Sequence, residues 1–408
     1  MSTKPALRPL DFQPVIYEGQ QLWFLRDPLQ LTEEQLLLPP ALAHMLHLLD
    51  GTRTAREIHA DFCREVGQTV DFEVVTNTLA ELDRACLLEN ERSHNARQEQ
   101  LAAFHALPHR PPILAGINYP QDRRRLVSYF DRFARNGQRV NDEDVWQGRA
   151  IVSPHIDYRR GGKVYGEVWG RAVGTVAEAD LVLMFGTDHN GGLGTVTLTR
   201  QPYATPFGTL PSADDLIQTL DDAVGGDRLF ELELNHRQEH SIELSAAWLH
   251  YLYHTLGKRP APMLPVLCGS FQHFVSNGRH PAEDEVLTTF LHTLQAETAG
   301  RRVLAVASVD LAHVGPSFGD PFPMDDARRQ ALVQSDRRLM EAVRDGDHVR
   351  FYNEIAAVED RNRICGFSSL YLMLRYLDGA QGIEVAYEQC PADDEGHSFV
   401  SICGLLLN

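Results

Sequence analysis

The chain reads as an α/β protein preceded by a small, mostly helical domain. Three observations point that way. Past residue 112, apolar runs of strand length (RAIVSP, ADLVLMFG, PMLPVLCG and RVLAVASVD) alternate with longer helical stretches, the pattern of a sheet covered by helices. Ahead of residue 92 the apolar periodicity instead comes in short helical pieces. Between the two lies RSHNARQEQLAAFHALPHRPP, polar and then Pro-rich, which reads as a helical linker running into a break. The expected divisions are a module at 1–92, a linker at 93–112 and a larger domain at 113–408.

The front module offers three helical segments: LTEEQLLLPPALAHMLHLLDG, TAREIHADFCREVG and DFEVVTNTLAELDRACLLEN. Gly51 and Gly67 are natural stops for the first two, and Asp71 can cap the third. VIYEG and QLWFL suggest a small sheet at the front. The stretch from LLDGTRTAREIHADF to ACLLEN resembles the PqqD-like winged-helix modules. That resemblance implies recognition of a peptide or protein partner; plain packing or dimerisation is the alternative. Residues 1–100 hold nine Lys or Arg against sixteen Asp or Glu, a balance that opposes DNA reading.

In the larger domain the helical stretches are YGEVWGRAVGTVAE, the segment beginning at Ser241, and EVLTTFLHTLQAET. Ligands of open α/β sheets collect beyond the carboxyl ends of the strands. His155, His189 and Asp310 all stand at such ends.

The chain has 408 residues and a formal net charge of -18, with 43% hydrophobic residues. That much negative charge repels phosphate backbones and anionic lipid, so neither nucleic acid nor membrane is an expected partner. The six cysteines are scattered without a CxxC pair, which suits reduced thiols. The opening MSTKPALRPLDFQPVIYEG lacks a signal-peptide core. The expectation is a cytoplasmic protein.

Two imidazoles and a thiolate, His155, His189 and Cys365, each follow an apolar run. Brought together, they would make a three-ligand metal site with room for a further molecule, whereas structural zinc is usually closed by four protein ligands. Taken singly, each has a plainer reading: a turn histidine, a glycine-rich loop, a small buried cysteine. Gly186, Gly191 and Gly192 let the chain around His189 approach a bound group, and Asp188 is placed to orient a neighbouring imidazole. In SVDLAHVG, Asp310 and His313 suit a proton shuttle, or a helix cap and its neighbour. His236, Glu239 and His240 match the H-x-x-E-H zinc-protease pattern, but they look like a helix entrance rather than one helical face. Cys365 precedes a helix, whose amino end lowers a thiol pKa.

From about Arg110 to Asn408 the chain resembles the Memo family, also called AmmeMemoRadiSam system protein B. The carrying segments, in order, are ILAGINYPQDRRRL, IVSPHIDYRRGGKVYG, LVLMFGTDHNGG, YATPFGTL, EHSIEL, LPVLCGS, SVDLAH, RICGF and GHSFVSICGLLL. The resemblance implies a fold similar to that of class III extradiol dioxygenases. It implies His155, His189 and Cys365 as metal ligands, with His240, Asp310 and His313 lining the same pocket; there His240 or His313 can act as acid–base partner and Asp310 can orient one of them. Asn190 stands where the family often has a second histidine, Asp188 replaces the usual Ser, and Phe367-Ser368-Ser369 replaces Arg-His-Pro.

These readings lead to a mononuclear metal protein. Fe(II) is the expected ion, with Cu or Zn also compatible with the ligand types. The expected activity is that of an oxidoreductase of dioxygenase type on a small organic molecule or a modified peptide. A non-catalytic, metal-binding redox adaptor and a zinc hydrolase built on His236, Glu239 and His240 are the alternatives.

Overall fold

The computed structural model describes residues 4–137 and 146–408. The chain forms two compact units, Met1–Leu107 and Pro108–Asn408. The first opens with a three-stranded antiparallel sheet in the order β1 (Asp11–Tyr17), β2 (Gln20–Arg26) and β3 (Leu36–Leu38). The helices α1 (Pro40–Met45), α2 (Ala55–Val66), α3 (Phe72–Arg84) and α4 (Glu91–His105) follow. Thr54 and Glu57 close a capping box on α2, Gly67 ends it at φ 69°, and Asp71 caps α3. The helix expected from Leu31 onward is shorter than its periodicity suggests. Leu36–Leu38 pairs with β2 instead, because Pro39 and Pro40 disfavour helix in the residues before them and Pro40 starts α1.

The second unit begins with α5 (Arg123–Gly137), β4 (Ala150–Ser153), α6 (Tyr158–Arg171), α7 (Val173–Glu178) and β5 (Leu181–Thr187). It continues with β6 (Val196–Leu198), β7 (Tyr203–Thr205), β8 (Gly208–Leu210), α8 (Asp214–Val224), α9 (Ser241–Leu256), β9 (Met263–Cys268), α10 (Gln272–Asn277) and α11 (Glu285–Thr298). It closes with β10 (Val303–Ser308), β11 (His313–Val314), α12 (Asp326–Arg344), α13 (His348–Ala356), α14 (Phe367–Leu377), β12 (Gly382–Pro391) and β13 (Phe399–Leu407). The main sheet runs β11-β13-β4-β10-β5-β9-β6, with β12 added on β13. Its centre, β4-β10-β5-β9, is parallel, and β13 and β6 flank it antiparallel.

This is a mixed α/β fold, and side-chain alternation explains its layers. Leu181, Leu183 and Phe185 of β5 join one core with α8, α11, α12, α13 and α14. Val182 and Met184 join a second core with α5, α6, α7 and α9. Both faces are covered, which is why the central strands read as unbroken apolar runs. With their flanks buried, the polar residues that β4, β5 and β10 carry past their carboxyl ends are left to meet one another. Among the described residues no helix is long and apolar enough to cross a membrane.

Candidate metal centre

The carboxyl ends of β4, β5 and β10 deliver Pro154-His155, Asp188-His189 and Val309-Asp310. The amino end of α9 adds Glu239-His240, and the turn before α14 adds Cys365. A buried layer of hydroxyls ties these elements together. Ser245 Oγ lies 2.6 Å from Ser308 Oγ and 3.3 Å from Ser153 Oγ, while Ser241 donates to the Thr187 carbonyl at 2.7 Å. Gly186 permits the approach of β5 to α9, since a Cβ there would sit 2.5 Å from Ile242.

The sulfur of Cys365 is 3.1 Å from His155 Nε2 and 3.4 Å from His189 Nε2. Donors each ~2.1–2.3 Å from one ion stand about 3 to 3.7 Å apart, so this spacing fits a shared metal. The other nitrogen of each ring is occupied. His155 Nδ1 donates to the Ser308 carbonyl at 2.9 Å, and His189 Nδ1 meets Glu239 at 3.0 Å. Each anchor turns Nε2 inward.

His240 joins this group: the ring nitrogens of His155, His189 and His240 lie within 4.8 Å of one another. Its ring stacks on His189 at 4.8 Å between centroids, and its Nδ1 is 3.2 Å from Glu239.

Glu239 is the residue that sequence reasoning missed. In the sequence it stands out only as part of the H-x-x-E-H pattern. Fully buried, it also accepts from the amides of His189 (2.9 Å), His240 (2.7 Å) and Ser241 (2.9 Å). A carboxylate next to a candidate histidine was the available signal. Asp188, expected to orient an imidazole, instead accepts from Asn235 Nδ2 and the Asn190 amide. Burial lifts its carboxyl to about 6. Gly191 gives room to the Asp188 side chain, 2.6 Å from where a Cβ would stand, rather than to a bound group.

Asp310 lies against His155, not beside His240 or His313 as a partner of either. Its Oδ1 accepts from the amides of His155 and Ile156, and its Oδ2 is 3.6 Å from His155 Nε2. His313 sits farther out, edge-on to Phe318. With His189 and Cys365 it lines a cavity of about 320 Å³ whose walls include Phe271, Phe318, Phe367 and Arg363.

The H-x-x-E-H triad does not assemble. His236 is fully buried, with Nδ1 2.7 Å from the Tyr203 hydroxyl and Nε2 3.1 Å from the Thr197 carbonyl. Burial pulls its pKa down to about 3. It sits on a 3₁₀ turn, so the three residues do not share a helical face. His250, in turn, bonds Thr205 at 2.8 Å.

In the metal-free fold, electrostatics favour a thiolate facing two protonated imidazoles. Burial opposes charge on Cys365, but the facing His155 and His189 outweigh it and hold the thiol well below its ordinary range. Burial also opposes charge on His155, yet Cys365 and Asp310 raise it to about 9. Burial is likewise outweighed at His189, which Glu239 and Cys365 push up.

The chain before the sulfur is unusual. Glu359, Asp360 and Arg363 all adopt positive φ, 48–52°. The Cys365 amide then donates to Leu311 O (3.0 Å) and the Gly366 amide to Asp310 O (2.9 Å). Gly366 is required by this close approach, because a Cβ would stand 2.6 Å from Val309 Cβ.

Comparison with known proteins agrees with this architecture. The family model for "Memo-like protein" matches residues 110–405. A "MEMO1 family protein" of Aquifex aeolicus is 26% identical over 379 residues, 92% of this chain and 91% of that protein. A relative of the same family name from Thermus thermophilus is 27% identical over 298 residues, 72% of this chain and 82% of its own length. One from Methanococcoides burtonii is 27% identical over 270 residues, 65% of this chain and 86% of its own. The Aquifex match extends over most of the front unit as well. With well over half of its length matched by the family model, the chain belongs to the Memo family.

Proposed function

We propose that this chain is a mononuclear metal protein, its ion held by His155, His189 and Cys365, and that it acts as an oxidoreductase on a small organic molecule or the modified side chain of a peptide. The observation that carries the reading is the Cys365 sulfur 3.1 and 3.4 Å from two imidazole nitrogens whose rings are each anchored from behind. The donor set of two imidazoles and a thiolate suits Fe(II), Cu or Zn, and Fe(II) is the ion we favour for redox work. An iron ion held there would supply one-electron chemistry and Lewis acidity.

The protein's own groups do the rest. Ser308 and Glu239 hold the tautomers of His155 and His189. His240, with Nδ1 on Glu239, is placed to hold or move a proton at Nε2. His313, whose Nδ1 is 3.3 Å from the Leu311 carbonyl, offers a second such atom on the cavity wall. Asp310 balances charge at His155. The cavity of about 320 Å³ admits one small molecule, and its Phe271, Phe318 and Phe367 rings offer that molecule an apolar wall.

The test is metal content and substrate-dependent O₂ uptake of protein purified without oxygen. Iron in the wild type, lost in His155→Ala, His189→Ala and Cys365→Ala, is the expected result. Iron without uptake across a broad substrate panel turns the reading to a redox adaptor. Metal retained in all three variants refutes the site. His313→Ala should keep the metal and lose turnover.

A peptide or protein partner at the front unit is a separate part of the proposal. The β1–β2 hairpin leaves Phe12, Ile16 and Tyr17 exposed, Ile16 by 74%, and a partner segment would cover them. Ile16→Glu should leave metal content unchanged and weaken turnover of peptide-borne substrates selectively. Equal turnover of free and peptide-borne substrates by both proteins would remove this role.

A further inference from the structure

The segment ILAGINYP is far in sequence from every residue of the metal centre, yet it is bound to the turn that carries Glu239 and His240. Arg110, just before it, is fully buried, as is Glu243 on the first turn of α9. The two form an ion pair. The Arg110 guanidinium also donates from Nε to the His236 carbonyl at 2.9 Å and from Nη2 to the Glu239 carbonyl at 2.6 Å. Its plane lies 5.0 Å from the Tyr203 ring. Glu243 in turn gathers the strap: Oε2 accepts from the Ile113 amide at 2.9 Å, and Oε1 from the Leu114 amide at 2.8 Å and the Tyr119 hydroxyl at 2.6 Å.

These contacts form one path. Residues 110–119 grip Glu243 and the carbonyls of residues 236 and 239. The Glu239 carboxylate then grips the rings of both His189 and His240. The other half is held mainly from the sheet: the His155 ring rests on the Ser308 carbonyl and the Cys365 amide on the Leu311 carbonyl, while hydroxyl bonds from Ser308 to the Ser241 carbonyl and from Thr187 to the Cys365 carbonyl tie it less directly to α9. We infer that Arg110, Glu243 and Tyr119 are positioning residues that set the orientation of the His189–His240 half of the metal centre directly and act on the His155–Cys365 half far less. A planar fork is needed at Arg110, because one charge must reach two carbonyls and a carboxylate at once.

The inference rests on the metal reading only where metal is the readout. Arg110→Lys keeps the charge beside Glu243 but loses the fork. Tyr119→Phe removes a single hydrogen bond and keeps the ring, so it stays informative if the lysine variant folds poorly. Both are compared, as full chains, with the wild type by Co(II) titration. Arg110→Lys should bind Co(II) about 10- to 100-fold more weakly, with shifted ligand-field bands and a retained thiolate charge-transfer band. Cys365→Ala loses that band. Tyr119→Phe should show a smaller shift in the same direction, whereas a merely structural strap would lower the melting temperature and leave affinity and spectrum alone.

Folded variants with wild-type affinity and spectrum overturn the inference. If the wild type itself binds no Co(II), the metal reading fails, and the strap is judged on metal-free protein by imidazole ¹⁵N shifts. Arg110→Lys should then change the tautomer signatures of His189 and His240 and spare His155. Unchanged signatures at all three would overturn it.

Discussion

The two histidines that face Cys365 are supported in different ways. His155 is 1% exposed, its ring rests on a backbone carbonyl of the adjacent strand, and Asp310 touches its backbone and flank. His189 is partly open, its side chain 36% exposed, and its ring rests on a carboxylate shared with His240. The first arrangement is neutral behind the ring and built into the sheet. The second is anionic and built on a turn between elements. A carboxylate makes its imidazole a stronger donor, but a single side chain then carries two rings, so this half of the centre is the easier one to break.

The largest expected effect tests that asymmetry directly. Glu239→Ala should weaken Co(II) or Fe(II) binding by about 100-fold, and Asp310→Ala by only about tenfold, because the His155 ring keeps its carbonyl. Equal losses in a metal titration would mean that the two halves are supported alike. Next comes Gly366→Ala. Its methyl would collide with Val309 and the Asp310 carbonyl, costing roughly 1–3 kcal/mol of stability. It should also push the sulfur off both rings, seen as a weakened thiolate band; an unshifted band would show that the turn can yield.

The pH dependence follows from the same groups. In the metal-free fold two imidazoles are raised, His155 to about 9 from an ordinary 6.5, while one thiol is lowered. Between pH 6.5 and 9 the folded protein therefore holds more protons than the unfolded chain. Its stability should be greatest at the low edge of this window, near pH 6.5, and fall as pH rises through it. Metal must displace those protons, so affinity should rise over the same window, by about tenfold per pH unit for each proton released. A thermal midpoint that rises from pH 6.5 to 9 in metal-free protein would contradict the ion-paired site. The smallest effect is expected at His236→Gln, which should lower stability by about 1–3 kcal/mol through its lost buried bonds and leave metal affinity within twofold. A large loss of metal would return His236 to the centre.

The strands β4, β5, β9 and β10 were legible because burial on both faces writes them as continuous apolar runs. The placement of His155 and His189 at strand ends followed from that. Cys365 rested on the family resemblance, since a lone cysteine before a helix has no pattern of its own. What could not be read was pairing across the fold. Glu239 and His189 are fifty residues apart, and their contact depends on how closely α9 packs against β5. Asp310 was expected to serve His240 or His313 and serves His155 instead, because strand order sets β10 beside β4. The leucines of Leu36–Leu38 predict a helix, and the prolines that follow them turn the segment into a strand instead.

The run of left-handed residues ahead of the sulfur has an evolutionary consequence. Glu359, Asp360 and Arg363 sit where side chains are disfavoured by about 1–2 kcal/mol apiece. Glycine at Glu359 would relieve that crowding, whereas at Asp360 and Arg363 it would also remove the bonds to the Ile364 amide, the His313 carbonyl and Asp320. The latter replacements would slacken the tether on the thiol. Lineages pressed toward toughness are thus expected to change at Glu359 first and to keep Asp360 and Arg363, long before any ligand is touched.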